Sequence, residues 1–499
     1  MTVRGLGSKF LFWSLIALFI APYFFGLFVS AFRLGLPLDF GALLVRSLLQ
    51  AGASAILALV LGSLGAMGLL KRHERWEFVA LLPTVAPAIT LVVGFFSIFP
   101  QWKGWSAVVT AHALGSCGLV AVVISRLIRG TFGASLELAW IEGASRRSIW
   151  RRGILPALRH DLTRLALSVF AASLASFSIP LLLGGSKAVT LEIAIHHAIR
   201  FENSWSVAAT LSLLQWALLL VLVLFLSQGV FSNGALNSRG VDSDGLRPGS
   251  RLRSELGRVL GWDLGIVAVL LAPAMIVFAL SRGPLMGVAQ LQAAGLFEHL
   301  EILKLAFQGG FVTATLAGVL AAVLLFAFAA SSPSEKERVW VSGYVAPSVA
   351  ITGFATLVIG WGTDPSFAYD SIRIAVGAAL LFAPVLWRLR WEAQLARLDG
   401  QLKVAETLGA SHTMIVRKIL APQLREIFFW SAGLISFWVW GDYAIGSIAA
   451  SRQMTLALVA KGLLESYRLE AASLLILAAL VLGGLSYLIF TWGGRRVAR

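Results

Sequence analysis

The stretch AASLLILAALVLGGLSYLIFTW, residues 471–492, decides the fold class of this chain. It contains no charged residue and is longer than the roughly 18 to 20 apolar residues that cross about 30 Å of hydrocarbon as a helix. FLFWSLIALFIAPYFFGLFVSAF, residues 10–32, is a second run of this kind. A membrane β-barrel would instead show ten-residue segments of alternating polarity. The chain is therefore predicted to be an all-α, polytopic membrane protein.

The composition agrees with lipid as the main solvent. Of the 499 residues, 58% are hydrophobic and only 13% are charged, whereas soluble domains carry about 25% charged residues. The single cysteine, Cys117, lies in an apolar run, which excludes a disulfide framework and a cysteine metal site. We predict about twelve transmembrane helices, near residues 10–32, 44–70, 77–99, 106–127, 164–184, 205–228, 261–281, 303–330, 339–361, 372–387, 427–448 and 471–492.

The positive charge is explained by membrane topology. The formal net charge is +16, which by itself would also be typical of a nucleic-acid-binding protein. With the predicted spans, however, most Lys and Arg residues fall on one side, as cytoplasmic loops of membrane proteins require. Arg4 and Lys9 precede the first span, and Arg495 and Arg496 follow the last. Both termini are therefore predicted to be cytoplasmic, in a cell inner membrane, and no nucleic-acid partner is expected.

Two polar segments repeat each other in this apolar chain. ELAWIEGASRRSIWRRGILP (137–156) aligns without a gap with KVAETLGASHTMIVRKILAP (403–422) at an offset of 266 residues. We call them the first and second repeated segments. The polar region 236–258 separates two halves, 1–235 and 259–499, and is predicted to be a cytoplasmic linker. Because each half holds an even number of spans, about six, the halves are predicted to be parallel repeats.

Each repeated segment is predicted to fold as a compact helix–turn–helix. Leu136 to Glu142 suits a short helix, which Gly143 closes in the left-handed conformation. Ser145 is then placed to cap a second helix. Pro156 fits the first turn of the element that follows, because its missing N–H is harmless there. Ala139 and Gly143 present small residues on which the backbone of another protein can approach closely.

The repeated segments resemble the cytoplasmic "EAA" motif of permease subunits in ATP-binding-cassette importers. The first segment matches the motif in Glu137, Ala139, Gly143, Ile154 and Pro156. The second matches it in Ala405, Gly409 and Pro422, but Lys403 stands where the motif has glutamate. In that family the motif forms a coupling helix that sits in a groove of the ATPase subunit.

The resemblance implies a set of ATPase-coupling residues. They are Glu137, Ala139, Gly143, Ala144, Ser145, Pro156, Ala405, Gly409, Ala410, Ser411 and Pro422. Two copies in one chain resemble the fused-dimer permeases, with two six-helix repeats of the type I importer fold. The implied partners are two copies of an ATPase subunit and an extracytoplasmic solute-binding protein.

The substrate is indicated only by a further resemblance. SFSIPLLLGGSKAVTLEIAIHHAIRFENSWSVAATLSLLQ (176–215) and Gly-Asp-Tyr at 441–443 are similar to the thiamine-type permeases, and the chain also resembles the iron(III)-type permeases. Thiamine or a related small cation is the first expectation and ferric iron is the second.

The chain lacks the motif by which a transporter could hold ATP itself. No G-x-x-x-x-G-K-[ST] occurs, so ATP is expected on separate ATPase subunits, with no cofactor in this chain and no enzymatic activity of its own. His196 and His197 are expected to be an ordinary polar pair rather than a metal site, since adjacent helical residues point about 100° apart. His112 is expected to form a hydrogen bond inside the helix bundle.

Few charged residues fall at membrane depth, where they mark functional sites by default. Asp442 and Glu192 could attract a cationic substrate, or each could cap a helix or accept a hydrogen bond from a backbone N–H. Phe177 and Tyr443 could stack on an aromatic cation, or could be bundle packing. An ion-driven secondary transporter is the alternative from another class, but it predicts several charged residues at the membrane midplane.

Overall fold

The computed structural model describes residues 33–37, 39–72, 75–145, 148–185, 188–232, 264–293, 295, 300–331, 366–450 and 455–496, together with Trp13, Ser14, Ala17 and Phe28. These residues form helices and turns, with no strand among them. The linker at 236–258 and the span at 339–361 lie outside the described residues, as does almost all of the span at 10–32. The prediction of an all-α polytopic membrane protein is confirmed.

The helices of the first half, in chain order, are α1 (Phe40–Leu70), α2 (Arg75–Val85), α3 (Ala88–Ile98), α4 (Trp105–Ile141), α5 (Leu155–Leu174), α6 (Ser178–Leu183), α7 (Leu191–Arg200) and α8 (Trp205–Ser232). Those of the second half are α9 (Gly265–Arg282), α10 (Val288–Ala293), α11 (Leu300–Ala330), α12 (Phe367–Leu386), α13 (Glu392–Thr407), α14 (His412–Ile415), α15 (Ala421–Trp440), α16 (Ala444–Ala449), α17 (Leu456–Glu465) and α18 (Leu469–Arg496). Among the described residues, four π-helical segments occur, at Ile149–Ile154, Gly283–Gly287, Trp387–Trp391 and Val416–Leu420.

Seven helices among the described residues are long and apolar enough to cross a membrane, or eight if α2 and α3, which meet at 95°, form one bent span. The seven cover Phe40–Leu70, Trp105–Arg129, Trp205–Leu222, Gly265–Ala293, Glu301–Ala330, Phe367–Thr407 and Leu469–Arg495. The total of twelve spans stays a prediction.

Besides the bent span at 77–99, two predicted spans are broken. The span at 164–184 is interrupted at Ala175, between α5 and α6, and the span at 427–448 is interrupted at Gly441, between α15 and α16. In the second break, the carboxylate of Asp442 accepts hydrogen bonds from the backbone N–H groups of Ala444 and Ile445. Short polar side chains that bond nearby backbone in this way compete with helix continuation.

The helices group into two compact units whose members do not follow the two halves of the sequence. One unit contains residues 39–190 and 221–282, so it includes α9 from the second half. The other contains residues 1–38, 191–220 and 283–499, so it includes α7 from the first half. The predicted halves, 1–235 and 259–499, therefore describe the duplication of the sequence. The two units, which are defined by contacts between residues, have different boundaries.

Small residues let the helices of each unit approach closely. In the first unit, a Cβ added to Gly118 of α4 would lie 1.8 Å from the carbonyl oxygen of Ala80 in α2. In the second unit, a Cβ added to Gly318 of α11 would lie 2.4 Å from the carbonyl oxygen of Ala432 in α15. Close backbone approach at glycine is typical of helix packing in membranes, where van der Waals contact replaces the hydrophobic driving force.

The duplication extends to the lengths of the helices that follow the repeated segments. Helices α5, α6, α7 and α8 have 20, 6, 10 and 28 residues. Helices α15, α16, α17 and α18 have the same lengths, 20, 6, 10 and 28 residues, in the same order. Similar sequence therefore folds into the same series of elements twice, although the offset between corresponding helix starts falls from 266 to 264 residues.

Candidate functional site

The second repeated segment begins on a helix that closes at glycine, as predicted. Helix α13 ends at Thr407, and Gly409 has a φ of +77°. The N–H of Ala410 donates to the carbonyl of Ala405 at 3.0 Å, and the N–H of Gly409 donates to that of Glu406 at 3.0 Å. This pair of bonds is the Schellman motif, which satisfies the last carbonyls of a helix when a glycine adopts the left-handed conformation.

The first repeated segment turns in the same way, at the end of a much longer helix. Gly143 has a φ of +78°, which confirms its predicted conformation. The short helix predicted from Leu136 to Glu142 is wrong, because these residues continue α4, which has 37 residues. No proline interrupts the chain between the apolar span and Gly143, so the helix can continue to Ile141. The side chains of Glu137 and Ala139 lie outside what the structure describes.

A serine then caps the next turn in each segment. The Oγ of Ser145 accepts a hydrogen bond from the N–H of Ser148 at 3.3 Å. The Oγ of Ser411 accepts one from the N–H of Met414, also at 3.3 Å. Both contacts join an N-cap side chain to the third residue of the turn, as N-capping requires. The predicted caps are confirmed.

Both segments reach their proline through a π-helical turn. The N–H of Leu155 bonds the carbonyl of Trp150, and the N–H of Ala421 bonds that of Val416. These are bonds to the fifth preceding residue, and they immediately precede Pro156 and Pro422, which start α5 and α15. Since proline has no N–H to donate, it is placed where the regular helical bond is already interrupted.

Corresponding residues of the two segments are also buried or exposed alike. The buried positions Ile149, Ile154 and Leu158 correspond to Ile415, Leu420 and Leu424, which are buried as well. The exposed positions also correspond in pairs; they are Gly143, Ser145, Arg151, Pro156, Gly409, Ser411, Arg417 and Pro422. Ala144 and Ala410 are both half-buried. Each segment is therefore anchored to its own unit by two buried aliphatic residues, with a third just beyond its proline, and presents its glycine and serine outward.

The outward face of the second segment includes three exposed apolar side chains among polar ones. Val404, Leu408 and Met414 surround the Gly409 turn in sequence, with exposed fractions of 60%, 80% and 55%. A Cβ added to Gly143 or Gly409 would meet nothing within 4 Å. Exposed apolar side chains grouped around an open backbone turn are typical of protein interaction sites.

The two predicted carboxylates at membrane depth are engaged within the protein. Glu192 is fully buried in the first turn of α7 and accepts a hydrogen bond from the amide of Gln215 at 3.0 Å. Asp442 accepts hydrogen bonds from the N–H groups of Ala444 at 3.3 Å and Ile445 at 3.1 Å. For Asp442 this is the structural role that the sequence left open. A role in substrate attraction stays a prediction for both residues.

The predicted aromatic residues are buried. Phe177 is 2% exposed and precedes α6, and Tyr443 is 1% exposed and precedes α16. They occupy corresponding breaks in the two halves, which follows from the duplication. For Phe177 or Tyr443 to stack on a substrate, the helix break that contains the residue would have to open.

Three ion pairs were missed by sequence reasoning, and two of them share Glu77. Glu77, which is 3% exposed at the start of α2, accepts hydrogen bonds from Arg129 at 2.6 Å and Arg126 at 2.9 Å, both on α4. Arg129 also donates to the carbonyl of Leu69 at 2.6 Å. In the other unit, Asp370 and Arg373 pair at 3.2 Å near the start of α12. The spacing of Asp370 and Arg373 on one helix face was a usable signal, whereas the contacts of Glu77 require the fold.

Among the histidines, His112 follows its prediction. His112 lies 3.0 Å from the amide of Gln50, with its Nδ1 facing the amide nitrogen inside the bundle, which confirms the predicted hydrogen bond. The ring of His197 packs against Phe201 with their centroids 4.4 Å apart. Among the described residues there is no group of three His, Cys, Asp or Glu side chains placed to hold a metal ion.

The sequence is similar to curated permease proteins. The thiamine transport system permease protein of Brucella abortus strain 2308 is 25% identical over 373 residues, which cover 69% of this chain and 66% of that protein. The proteins of the same name are 26% identical over 249 residues in Salmonella typhimurium, covering 44% of this chain and 45% of that protein, and 26% identical over 199 residues in Escherichia coli, covering 35% and 37%. The match thus spans slightly less than two thirds of the Brucella protein's length.

Other comparisons found no match. No family model matches the chain, and no solved structure matches it. The curated relatives confirm the resemblance to thiamine-type permeases, while the resemblance to iron(III)-type permeases stays a prediction.

Proposed function

We propose that this chain, a homologue of the thiamine transport system permeases, is the membrane-spanning permease of an ATP-binding-cassette importer. The observation that carries the proposal is the pair of repeated segments, which are built alike and expose the same turn. A charged loop that served topology alone would have no reason to repeat a glycine with positive φ, a serine cap and a π-turn before proline. Two docking elements of similar construction fit two copies of one partner.

The partner in this proposal is an ATPase subunit, bound once at each repeated segment. The exposed faces around Gly143 and Gly409 would enter grooves of the two ATPase copies. Binding of ATP would then draw the two ATPase subunits together and move the repeated segments with them. Because Ile149 and Ile154 anchor the first segment, and Ile415 and Leu420 the second, motion would pass into α5 and α15.

The proposed location is the inner membrane, with both termini and both repeated segments on the cytoplasmic side. A solute-binding protein would deliver substrate from the other side. ATP would be held by the ATPase subunits, and this chain would catalyse no bond-making or bond-breaking step. The relatives named for thiamine favour thiamine or a related small cation as substrate.

Within this proposal, Glu192, Asp442, Phe177 and Tyr443 are the candidate substrate-contacting residues. Glu192 and Asp442 provide the carboxylates that a cation requires, and Phe177 and Tyr443 provide aromatic faces. Uptake of labelled thiamine by cells carrying Glu192→Gln or Asp442→Asn tests their role. Reduced uptake at normal protein abundance supports a substrate role, and unchanged uptake by both variants removes these carboxylates from the path.

The coupling proposal is tested by blocking both turns. Gly143→Arg combined with Gly409→Arg fills the open space around each glycine and strains a backbone with positive φ. We expect the double variant to remain in the membrane but to lose ATP-dependent uptake and co-purification of an ATPase. Gly41→Arg is the matched control, because Gly41 is exposed in α1 and also has open space around it. An ATPase that stays bound and coupled in the double variant contradicts the proposal.

A further inference from the structure

A cleft of about 630 Å³ lies in the unit formed by residues 1–38, 191–220 and 283–499. Its walls come from the π-segment at Trp387–Trp391, from α15 and from the last turns of α18. The side chains that matter are Arg390, Glu426, Trp430, Tyr487, Trp492 and Arg495. The helices meet at the base, where a Cβ added to Gly494 would lie 2.8 Å from the Cβ of Phe429.

The charged part of the cleft holds two arginines and one carboxylate. Arg390 lies 3.6 Å from Glu426, with its guanidinium 5.3 Å from the centre of the Trp430 ring. The side chain of Glu426 is 80% exposed and that of Arg390 is 48% exposed. An exposed ion pair at this distance is weak. Arg390 can therefore exchange Glu426 for an anion that offers bidentate hydrogen bonds.

The apolar part of the cleft faces away from the protein interior. Leu488, Ile489 and Trp492 of α18 are 59%, 67% and 56% exposed. They belong to Leu469–Arg495, a helix with the length and composition to span a membrane. In a bilayer these side chains meet acyl chains, and tryptophan near the end of a span is typical of the headgroup boundary.

We propose that this cleft is a binding site for an anionic phospholipid. The phosphodiester lies between Arg390 and Arg495, and an acyl chain follows Leu488 and Ile489 along α18. Basic pockets between transmembrane helices recognise anionic headgroups in this way. Net charge favours an anion over a zwitterion, since two arginines face one carboxylate. The proposal requires only that the chain spans a membrane, so it stands apart from the proposed transport function.

Glu426 gives the site a distinctive property. Its carboxylate competes with the lipid phosphate for Arg390, so its removal is expected to strengthen lipid binding. A variant that gains affinity cannot owe its behaviour to misfolding. If the cleft bound no lipid, Glu426→Gln would not increase the lipid affinity.

The experiment uses the purified full-length chain in a neutral detergent, titrated with phosphatidylglycerol or phosphatidylcholine, with bound lipid measured by native mass spectrometry. We expect phosphatidylglycerol to bind preferentially. The double change Arg390→Gln and Arg495→Gln should weaken its binding about 30-fold, as the loss of two basic contacts implies, and Glu426→Gln should strengthen it several-fold. Arg72→Gln is the control for the loss of surface charge elsewhere, because Arg72 is exposed outside the cleft.

Three outcomes would overturn the proposal. The first is equal binding of the two lipids by the unchanged chain. The second is unchanged phosphatidylglycerol binding in the double arginine variant. The third is an equal loss in Arg72→Gln, which would assign the lipid preference to general surface charge.

Discussion

At the scale of single residues, the glycines of the repeated segments are required by backbone conformation rather than by packing. Gly143 and Gly409 have φ values of +78° and +77°, and no atom lies within 4 Å of a Cβ added to either. An L-residue in this region is strained. A substitution there therefore reports on the turn itself, without steric complications from neighbouring side chains.

Gly409→Ala is expected to destabilise the protein by about 1 kcal/mol, because alanine must adopt the left-handed conformation. Gly400→Ala is the matched control. Gly400 lies inside α13 with open space around it, so alanine there should stabilise the helix by about 0.5 to 1 kcal/mol. The midpoint of thermal unfolding of the purified chain measures both changes in stability. A shift of the same sign in the two variants would contradict this account of the turn.

Glu77 pairs with one arginine that is largely buried and with one that is exposed. Arg129 and Arg126 both contact Glu77, but their side chains are 11% and 66% exposed. Arg129→Gln should destabilise the unit by about 3 to 5 kcal/mol, since it leaves a buried carboxylate without its main counter-charge. Arg126→Gln should cost at most about 1 kcal/mol. The yield of monodisperse protein after heating distinguishes them, and equal losses would show that burial does not govern this cluster.

At the scale of helices, glycine determines where the backbones can cross. Helices α11 and α15 approach so closely at Gly318 that any side chain would collide with the backbone of Ala432. Such a collision cannot be relieved by a change of rotamer, because the obstructing atom is a carbonyl oxygen. The crossing is therefore expected to be intolerant of substitution.

Gly318→Val is expected to abolish the folded, monodisperse form of the protein. Gly484→Val in α18 is the control, because a Cβ at Gly484 meets nothing within 4 Å. Size-exclusion chromatography of the detergent-extracted chain provides the measurement. Normal elution of the Gly318 variant would mean that α11 and α15 can separate without loss of the fold.

At the scale of the whole molecule, the duplication of sequence and the grouping of contacts follow different boundaries. The unit containing residues 39–190 also contains α9, from the second half. A Cβ added to Gly68 of α1 would lie 2.3 Å from the backbone nitrogen of Ile266 in α9. Helix α1 thus depends on a helix that follows it by some 200 residues.

This arrangement predicts the behaviour of a divided chain. Residues 1–240 expressed alone lack α9 and should be degraded or aggregate, because the glycine face of α1 is left without its partner helix. Co-expression with residues 241–499 should restore a stable complex that co-purifies. A stable, monodisperse fragment 1–240 on its own would show that α9 is dispensable for this unit.

Much of the local structure could be predicted from the sequence. Apolar runs indicated the helices, since each must satisfy its own backbone hydrogen bonds in lipid. The constant spacing of glycine, serine and proline in residues 137–156 and 403–422 predicted two turns, two caps and two helix starts, because these depend on neighbours within a few residues. These features follow from the sequence by itself.

Only the tertiary structure decided which elements pack together. The pairing of Glu77 with Arg129, the crossing of α11 with α15 and the place of α9 in the first unit join residues far apart in the chain. Side-chain periodicity indicates which face of a helix is apolar, but in lipid every face can be apolar. The partner of each helix is therefore chosen by close backbone fit at small residues and by the few buried charges, and both depend on the three-dimensional arrangement.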